Sequence, residues 1–203
     1  MKIICIGRNY SEHAKELNNP IPKKPVFFMK PDTALVINNN PFYYPEHSND
    51  VHYEAEIVIK ICKKGKHIDE KFAGKYYNEI GIGIDFTARD VQSECKKNGL
   101  PWEIAKAFDQ SAPVSTFIKK SRFDNLNQIN FSLSINGEEK QNGNTRDMIF
   151  SIDKIIAYIS SIITLKEGDL IFTGTPSGVG SISIGDNFEA FIEGEKLLEF
   201  LVK

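Results

Sequence analysis

Short apolar runs separated by turn residues dominate the hydrophobic pattern, which predicts a strand-rich protein. The strand-like runs are residues 1–7, PVFFMKP, TALVINN, residues 51–62, YYNEIGIGIDF and DLIFTG. INFSLSINGEEKQNG predicts a hairpin that turns at Asn136-Gly137, and FEAFIEG with LLEFLVK predicts a final one. Because short, turn-bounded strands outnumber helices, antiparallel or mixed β packing is favoured over a doubly wound sheet.

Three stretches predict helices. The longest carries isoleucines on one face, at Ile152, Ile155, Ile156, Ile159 and Ile163. That stripe predicts an amphipathic helix whose isoleucines face the core. TARD at residues 87–90 fits a capping box for a helix that ends at residues 98–99. Arg89 and Asp90 are expected either to face a substrate or to brace that helix, and bracing is favoured for Asp90. Ser11 begins a brief helix that Asn18, Asn19 and Pro20 end, and this segment predicts a mobile lid.

Composition narrows the class of protein. The 203 residues are 41% hydrophobic with a formal net charge of −2, which predicts one globular domain over residues 1–203. The absence of a basic stripe disfavours nucleic acid. Three dispersed cysteines, Cys5, Cys62 and Cys95, favour a reducing compartment over a disulfide scaffold. The N-terminal apolar run is too short for a signal peptide, and no run suits a membrane span, so a cytoplasmic protein is expected.

The segment VHYEAEIVIKI carries a pair of acidic residues that needs a reason. Glu54 and Glu56 share a strand face at about 7 Å, where they would repel by roughly 2 kcal/mol. Asp85, at the end of the apolar run GIGIDF, is the candidate third member. A divalent cation makes three converging carboxylates favourable, and hard oxygen ligands suit Mg²⁺ or Mn²⁺. Alternatively, the glutamates lie on a solvated edge strand and Asp85 is a turn residue.

Several longer stretches occur in an order typical of one enzyme family. They are GRNYSEHAKEL, PVFFMKPDTAL, VHYEAEIVIKI, GIDFTARDVQSECKKNGLPWEIAKAFDQSAPV, NGNTRDMIFSI and EGDLIFTGTPSGVG. On these stretches the chain resembles the fumarylacetoacetate hydrolase family, nearest its short acylpyruvase and oxaloacetate decarboxylase branch. The resemblance implies a mostly β (α+β) fold, namely a mixed β-sandwich roll with a few short helices. It also implies a homodimer.

The resemblance also assigns roles to residues. It implies that Mg²⁺ or Mn²⁺ is held by Glu54, Glu56 and Asp85. The implied catalytic residues are a water-activating pair, His13 and Glu16, and a lysine that reaches the reacting carbonyl, Lys106. The implied substrate-binding residues are Arg8, Gln92 and Thr175. Without the resemblance, His13 and Glu16 are more commonly a surface pair on a charged helix, and Lys106 is a solvated lysine whose stem packs on Trp102.

The implied reaction is cleavage of a carbon–carbon bond in 2,4-dioxo acids, or decarboxylation or tautomerisation of oxaloacetate, through a pyruvate enolate held by the cation. The alternative enzyme is an isomerase or decarboxylase of unsaturated oxo-dicarboxylates, which needs an extra anion site; only Lys30 and Arg146 suggest one. A binding protein with a structural cation is a third hypothesis, but such a protein would not need His13, Glu16 and Lys106. Three carboxylates, a divalent cation and Lys106 predict a nearly neutral site.

Two further features keep alternatives open. TGTPSGVG lacks the GK[ST] ending of a phosphate loop, and its backbone N–H groups with Thr173 and Thr175 suit either a carboxylate or a plain turn. His52 has the strand parity of Glu54 and Glu56. It is therefore expected either to support those carboxylates or to be a solvated strand-end histidine.

Overall fold

Strands far outnumber helices in residues 1–16 and 20–203, the part of the chain that the computed structural model describes. The strands are β1 (Ile3–Gly7), β2 (Val26–Lys30), β3 (Leu35–Val36), β4 (Val51–Tyr53), β5 (Ala55–Ile61), β6 (Tyr77–Ile84), β7 (Thr87–Ala88), β8 (Ala112–Pro113), β9 (Ile118–Lys119), β10 (Asn130–Ile135), β11 (Glu138–Asn144), β12 (Leu170–Phe172), β13 (Gly180–Ser181), β14 (Asn187–Ile192) and β15 (Glu195–Leu201). The helices are α1 (Ser11–Glu16), α2 (Glu70–Ala73), α3 (Arg89–Asn98), α4 (Glu103–Lys106) and α5 (Ile152–Ile162). No helix in these ranges is long and apolar enough to span a membrane.

Two larger sheets and two small ones carry the fold. The six-stranded sheet has the order β2-β1-β12-β5-β6-β9, and the four-stranded sheet has the order β11-β10-β14-β15. The small sheets are β13-β4-β7 and β3-β8. Strands β1 and β12 pair in parallel and the other pairs of the six-stranded sheet are antiparallel, which confirms the predicted mixed packing.

The predicted hairpins and the long helix form as the pattern indicated. Asn136 and Gly137 have φ angles of 54° and 79°, the left-handed pair that a two-residue hairpin turn requires. In α5, Ile152, Ile155, Ile156 and Ile159 are buried. Burial of each side chain stabilises the folded state by about 1.5–3 kcal/mol. The isoleucine stripe is therefore part of the core.

An aromatic cluster anchors the chain next to Asp85. The ring of Phe86 stacks on Phe42 with centroids 4.0 Å apart and meets Phe188 edge-on at 5.7 Å. All three side chains are fully buried. Because Phe86 follows Asp85 directly, this packing fixes the backbone from which the Asp85 carboxylate projects.

Two local predictions differ from the structure. Residues 51–62 do not form one strand: the strand breaks at Glu54, so that β4 joins the small sheet with β7 and β5 joins the six-stranded sheet. The capping box is wrong, because α3 begins after Ala88 without a side-chain cap. Thr87 does not cap the helix because it pairs in β7 with β4. At the other end, Gly99 has a φ of 66° and closes α3 as predicted, whereas Asn18 and Asn19 lie outside the described residues.

Candidate metal centre and active site

The three acidic residues converge where β5 and β6 meet. Ala55 pairs with Ile84, and the backbone N–H of Asp85 donates to the carbonyl of Glu54 at 2.8 Å, so Glu54 and Asp85 face each other across the ladder. One carboxylate oxygen from each of Glu54, Glu56 and Asp85 lies within 4.8 Å of the others. All three residues are buried, with 6%, 1% and 1% of their surface exposed. The backbone ladder therefore sets the spacing of this acidic triad.

Three cations compensate the triad. Lys106 Nζ bridges Glu54 Oε2 and Asp85 Oδ2, at 2.8 Å from each. Arg89 donates to Glu54 Oε1 at 2.6 Å. Lys30 Nζ lies 2.8 Å from Asp85 Oδ1. The predicted charge count is therefore incomplete, because it omitted Lys30 and Arg89.

Lys30 also ties together the segment that carries Lys106. It is 2% exposed and donates to the carbonyls of Phe86, Lys106 and Ser111, and to Ser111 Oγ at 2.9 Å. Its ammonium therefore holds the chain on both sides of the Lys106 side chain. The sequence suggested Lys30 only as part of an extra anion site. In the structure its ammonium is paired with the Asp85 carboxylate, so it is not free to bind a substrate anion.

The triad fits a hard divalent cation. Burial, reinforced by Asp85 and Glu54, raises the pKa of Glu56 well above its usual value. Burial also opposes charge on Glu54, but Lys106 and Arg89 outweigh it and lower the pKa of Glu54. Asp85 Oδ1 is buried and accepts no well-aligned hydrogen bond from any described residue, despite the nearby Lys30. Asp85 thus offers a buried oxygen with free lone pairs, and Glu56 is a neighbouring carboxylate that resists ionisation. Together with Glu54 they form a set of oxygen ligands that Mg²⁺ or Mn²⁺ would satisfy.

The histidine–glutamate pair forms on the short helix α1. His13 Nδ1 lies 3.1 Å from Glu16 Oε2, and Glu16 Oε1 accepts the backbone N–H of Gly178 at 3.0 Å. His13 is 5% exposed. A carboxylate on Nδ1 favours the tautomer in which Nε2 is an unprotonated base.

The loop after β12 serves the protein's own carboxylates. Gly174, at a φ of 104°, donates its N–H to Glu56 Oε2 at 2.6 Å. Glycine is required there, because a Cβ would lie 2.6 Å from the Cβ of Asn9. Thr175 Oγ1 accepts from Gln141 Nε2 at 2.9 Å, and Gln141 Oε1 accepts the N–H of Ala55. The hydroxyl proton of Thr175 is thus left for another acceptor.

One cavity brings most of the predicted residues together. Its lining includes Arg8, His13, Glu54, Glu56, Gln92, Lys106 and Thr175, and also Phe28, Arg89, Lys96 and Trp102. Asp85 lies directly beneath, on Lys106, and Glu16 lies behind His13. Gln92 Oε1 accepts from Arg89 at 2.8 Å, so its amide group is oriented.

Two residues that the sequence analysis considered lie elsewhere. His52 bonds Asp50 at 3.0 Å and forms no hydrogen bond with the acidic triad in the described part of the chain. Arg146 is exposed and pairs with Asp147 at 3.7 Å, so it supplies no anion site in this cavity.

Asp90 accepts a hydrogen bond from the Ser48 hydroxyl at 2.6 Å, which agrees with the predicted bracing role.

Sequence reasoning did not assign Gln141 and Lys96 to the site. Gln141 lies in an otherwise polar hairpin strand, and its burial at 2% exposure arises only when the four-stranded sheet meets the loop after β12. Lys96 lies four residues after Gln92 on α3, so helical spacing was an available signal.

Comparisons with known proteins show the family to which the chain belongs. The family described as fumarylacetoacetate (FAA) hydrolase C-terminal matches residues 2–201. The mitochondrial oxaloacetate tautomerase FAHD1 of Mus musculus is 46% identical over 201 residues, covering 99% of this chain and 91% of that protein. The oxaloacetate tautomerase YcgM of Escherichia coli is 43% identical, covering 97% and 90%.

Solved structures show the same fold. A fumarylacetoacetate hydrolase family protein from Yersinia pestis superposes with a TM-score of 0.96 at 40% identity, covering 100% of this chain and 93% of that chain. Fumarylpyruvate hydrolase from Pseudomonas aeruginosa, solved in complex with Mn²⁺ and pyruvate, gives a TM-score of 0.94 at 35% identity, covering 100% and 89%.

Proposed function

Because the chain belongs to the fumarylacetoacetate hydrolase family, we propose that it is a Mg²⁺- or Mn²⁺-dependent enzyme acting on small 2-oxo acids. The proposed reactions are tautomerisation or decarboxylation of oxaloacetate and cleavage of acylpyruvates to pyruvate and a carboxylic acid. All three pass through the enolate of a pyruvate unit. The observation that carries the proposal is the convergence of Glu54, Glu56 and Asp85 beneath a cavity that also holds Lys106 and His13.

The cation site and the catalytic groups have separate tasks. Glu54, Glu56 and Asp85 would hold the divalent cation, which supplies a Lewis acid that polarises a 2-oxo group and offsets negative charge on its oxygen. His13 Nε2 would remove a proton, either from carbon 3 of oxaloacetate or from a water. Glu16 would keep the imidazole in the required tautomer, since its other oxygen is fixed by Gly178.

Lys106 is proposed to stabilise the developing oxyanion. An ammonium has three N–H donors, and the two contacts with Glu54 and Asp85 leave one of them for a substrate oxygen. The hydroxyl of Thr175 and the amide of Gln92 would hold the substrate carboxylate, since Gln141 and Arg89 orient them. Hydrogen-bond donors that are already oriented before the substrate binds stabilise the charge that develops in the transition state.

The relatives support oxaloacetate as the leading substrate. The relatives named oxaloacetate tautomerase or decarboxylase align over nearly their whole length. A second candidate is fumarylpyruvate-type hydrolysis or isomerisation of unsaturated oxo-dicarboxylates. It is supported by structural neighbours named fumarylpyruvate hydrolase and 5-carboxymethyl-2-hydroxymuconate delta-isomerase, at 35% and 33% identity.

One set of assays tests the proposal. The purified chain is incubated with oxaloacetate, acetylpyruvate and fumarylpyruvate, with Mg²⁺, with Mn²⁺ and with excess EDTA. We expect turnover of oxaloacetate that EDTA removes and added cation restores. A cation-loaded chain that leaves all three compounds unchanged would refute the proposal.

His13 offers a way to separate the reactions. If His13 is needed chiefly to activate water, His13→Asn should abolish acylpyruvate hydrolysis while some oxaloacetate decarboxylation remains. His67→Asn is the matched control, because His67 is exposed and already has a φ of 53°, which asparagine accepts. Equal loss of both activities in the His13 variant would contradict the separation.

The homodimer and the cytoplasmic location remain parts of this proposal. The family resemblance supports the dimer, and the three free, dispersed cysteines support a reducing compartment. Sedimentation of the purified chain would test the dimer, and a mass of about 23 kDa instead of its double would refute it.

A further inference from the structure

Two cations in the cavity have no counter-ion. Arg8 and Lys96 both line it, yet within the described residues neither forms a hydrogen bond or an ion pair. The contact of Lys96 is with the ring of Trp102, whose centroid lies 5.5 Å from Nζ. By contrast, Lys30, Arg89 and Lys106 are each matched by a carboxylate.

The local charges therefore do not balance. The three carboxylates of the triad are already offset by Lys30, Arg89 and Lys106. Glu16, a further carboxylate beside His13, is occupied by His13 and by the Gly178 N–H. A divalent cation would add two further positive charges. The loaded cavity thus has an excess of positive charge, which a ligand with one carboxylate would leave largely uncompensated.

The backbone of Arg8 adopts an unusual conformation that its neighbours hold in place. Arg8 has a φ of 59°, a left-handed conformation that is strained for a non-glycine residue. The buried amide of Asn9 enforces it by donating to the carbonyls of Phe150 and Thr173 at 3.0 and 2.7 Å and accepting the Phe150 N–H at 2.8 Å. Such over-determined strain is typical of ligand-binding positions.

Lys96 lies close to the same point. It follows Gln92 by one helical turn, which places both on one face of α3. Burial lowers the pKa of Lys96, and the positive charges of Arg89 and Arg8 lower it further. Lys96 is thus near enough to Arg8 and Arg89 to feel their charge, although it remains accessible at the rim.

We propose that Arg8 and Lys96 form a second anion site, which receives the distal carboxylate of an oxo-dicarboxylate. This inference rests on the proposed function, in which the first carboxylate and the 2-oxo group face the acidic triad. It makes Lys96 a residue that determines specificity, because it favours dicarboxylates over 2-oxo acids with an uncharged far end.

A matched pair of variants and a matched pair of ligands test the proposal. Lys96→Met removes the charge and keeps the aliphatic stem, while Lys97→Met makes the same change at the adjacent exposed lysine, which does not line the cavity. The ligands are oxaloacetate and its 4-methyl ester, which lacks the distal charge. Tautomerisation is followed as kcat/KM with Mg²⁺, and calorimetry measures the dissociation constants of the same ligands.

The preference for oxaloacetate over the ester should fall about 10- to 100-fold in Lys96→Met, the range expected for one charge-assisted hydrogen bond. Arg8→Gln should lower it similarly, and Lys97→Met should keep it. An unchanged preference in Lys96→Met, or an equal loss in Lys97→Met, would overturn the inference. A chain that binds with this preference but turns nothing over would refute the proposed function alone.

Discussion

The floor and the rim of the cavity are built differently. The floor (Glu54, Glu56, Asp85, Lys30 and Lys106) is buried around the strands of the six-stranded sheet, and its lysines are paired with its carboxylates. The rim (Arg8, His13, Glu16 and Lys96) lies on α1, on α3 and just after β1, and Arg8 and Lys96 form no ion pair with any described residue. Folding alone therefore organises the floor, whereas a ligand is needed to complete the rim.

Substitution of Lys30 should give the largest effect on the floor. Lys30→Met leaves Asp85 and three carbonyls without their cation, so it should lower the free energy of unfolding by about 3–5 kcal/mol. Lys60→Met is the control, because Lys60 pairs with Glu79 at the surface and should cost at most about 1 kcal/mol. Urea unfolding measures both, and equal losses would show that the floor does not depend on this buried pair.

Lys106→Met should separate catalysis from cation binding. Loss of an oxyanion donor should lower kcat by about 100- to 1000-fold. Cation affinity should not fall, because the triad loses a competing positive charge. Steady-state kinetics and calorimetry with Mg²⁺ test the two halves, and a parallel fall in affinity would mean that Lys106 mainly shapes the cation site.

Glu56→Gln should weaken cation binding and stabilise the cation-free chain. We expect at least about a 10- to 100-fold loss of Mg²⁺ affinity, since one anionic ligand is removed. Burial beside Asp85 and Glu54 raises the pKa of Glu56, so in EDTA the wild-type chain should lose stability as the pH rises from the ordinary glutamate range through that raised value.

The variant should not show that loss, and its melting temperature in EDTA should exceed that of the wild type most clearly at high pH. Glu79→Gln, on the exposed end of the same sheet, is the control. A Glu56 variant that melts below the wild type in EDTA at pH 8 would contradict the explanation.

At the rim, the smallest effect on stability is expected from Arg8→Gly. Glycine removes the left-handed strain, worth about 1–2 kcal/mol, at an entropic cost of about 0.5–1 kcal/mol. The chain should be unchanged or about 0.5–1 kcal/mol more stable, while KM for oxaloacetate rises. Thermal unfolding and steady-state kinetics test this. A clear loss of stability would show that Arg8 supports the fold, as the residues of the floor do.

Much of the floor was predictable from sequence. Strand parity pointed to Glu54 and Glu56, the end of an apolar run pointed to Asp85, and the family resemblance added Lys106. The three carboxylates converge as predicted, but Glu54 lies in the break between β4 and β5, so parity along one strand does not explain its spacing from Glu56. The break at Glu54 escaped the same reasoning, since alternation alone does not reveal that a segment moves from one sheet to another.

The cations were harder to predict. Lys30 in PVFFMKP looks like the polar end of an edge strand, and only the tertiary fold places it against Asp85 and Ser111. Gln141 was missed for the same reason, because its partners lie 34 and 86 positions away in sequence. Burial of polar groups by distant segments leaves no periodic trace.

The acidic triad and the residues at the cavity entrance are held by different segments of the chain, and this separation affects how the protein can be engineered. Main-chain pairing between β5 and β6 fixes the acidic triad, while the side chains expected to meet the far end of a ligand come from α3 and the turn after β1. Exchange of those outer segments could therefore redirect selectivity without rebuilding the reactive centre. The same scaffold would then be a natural starting point for laboratory evolution toward new oxo acids.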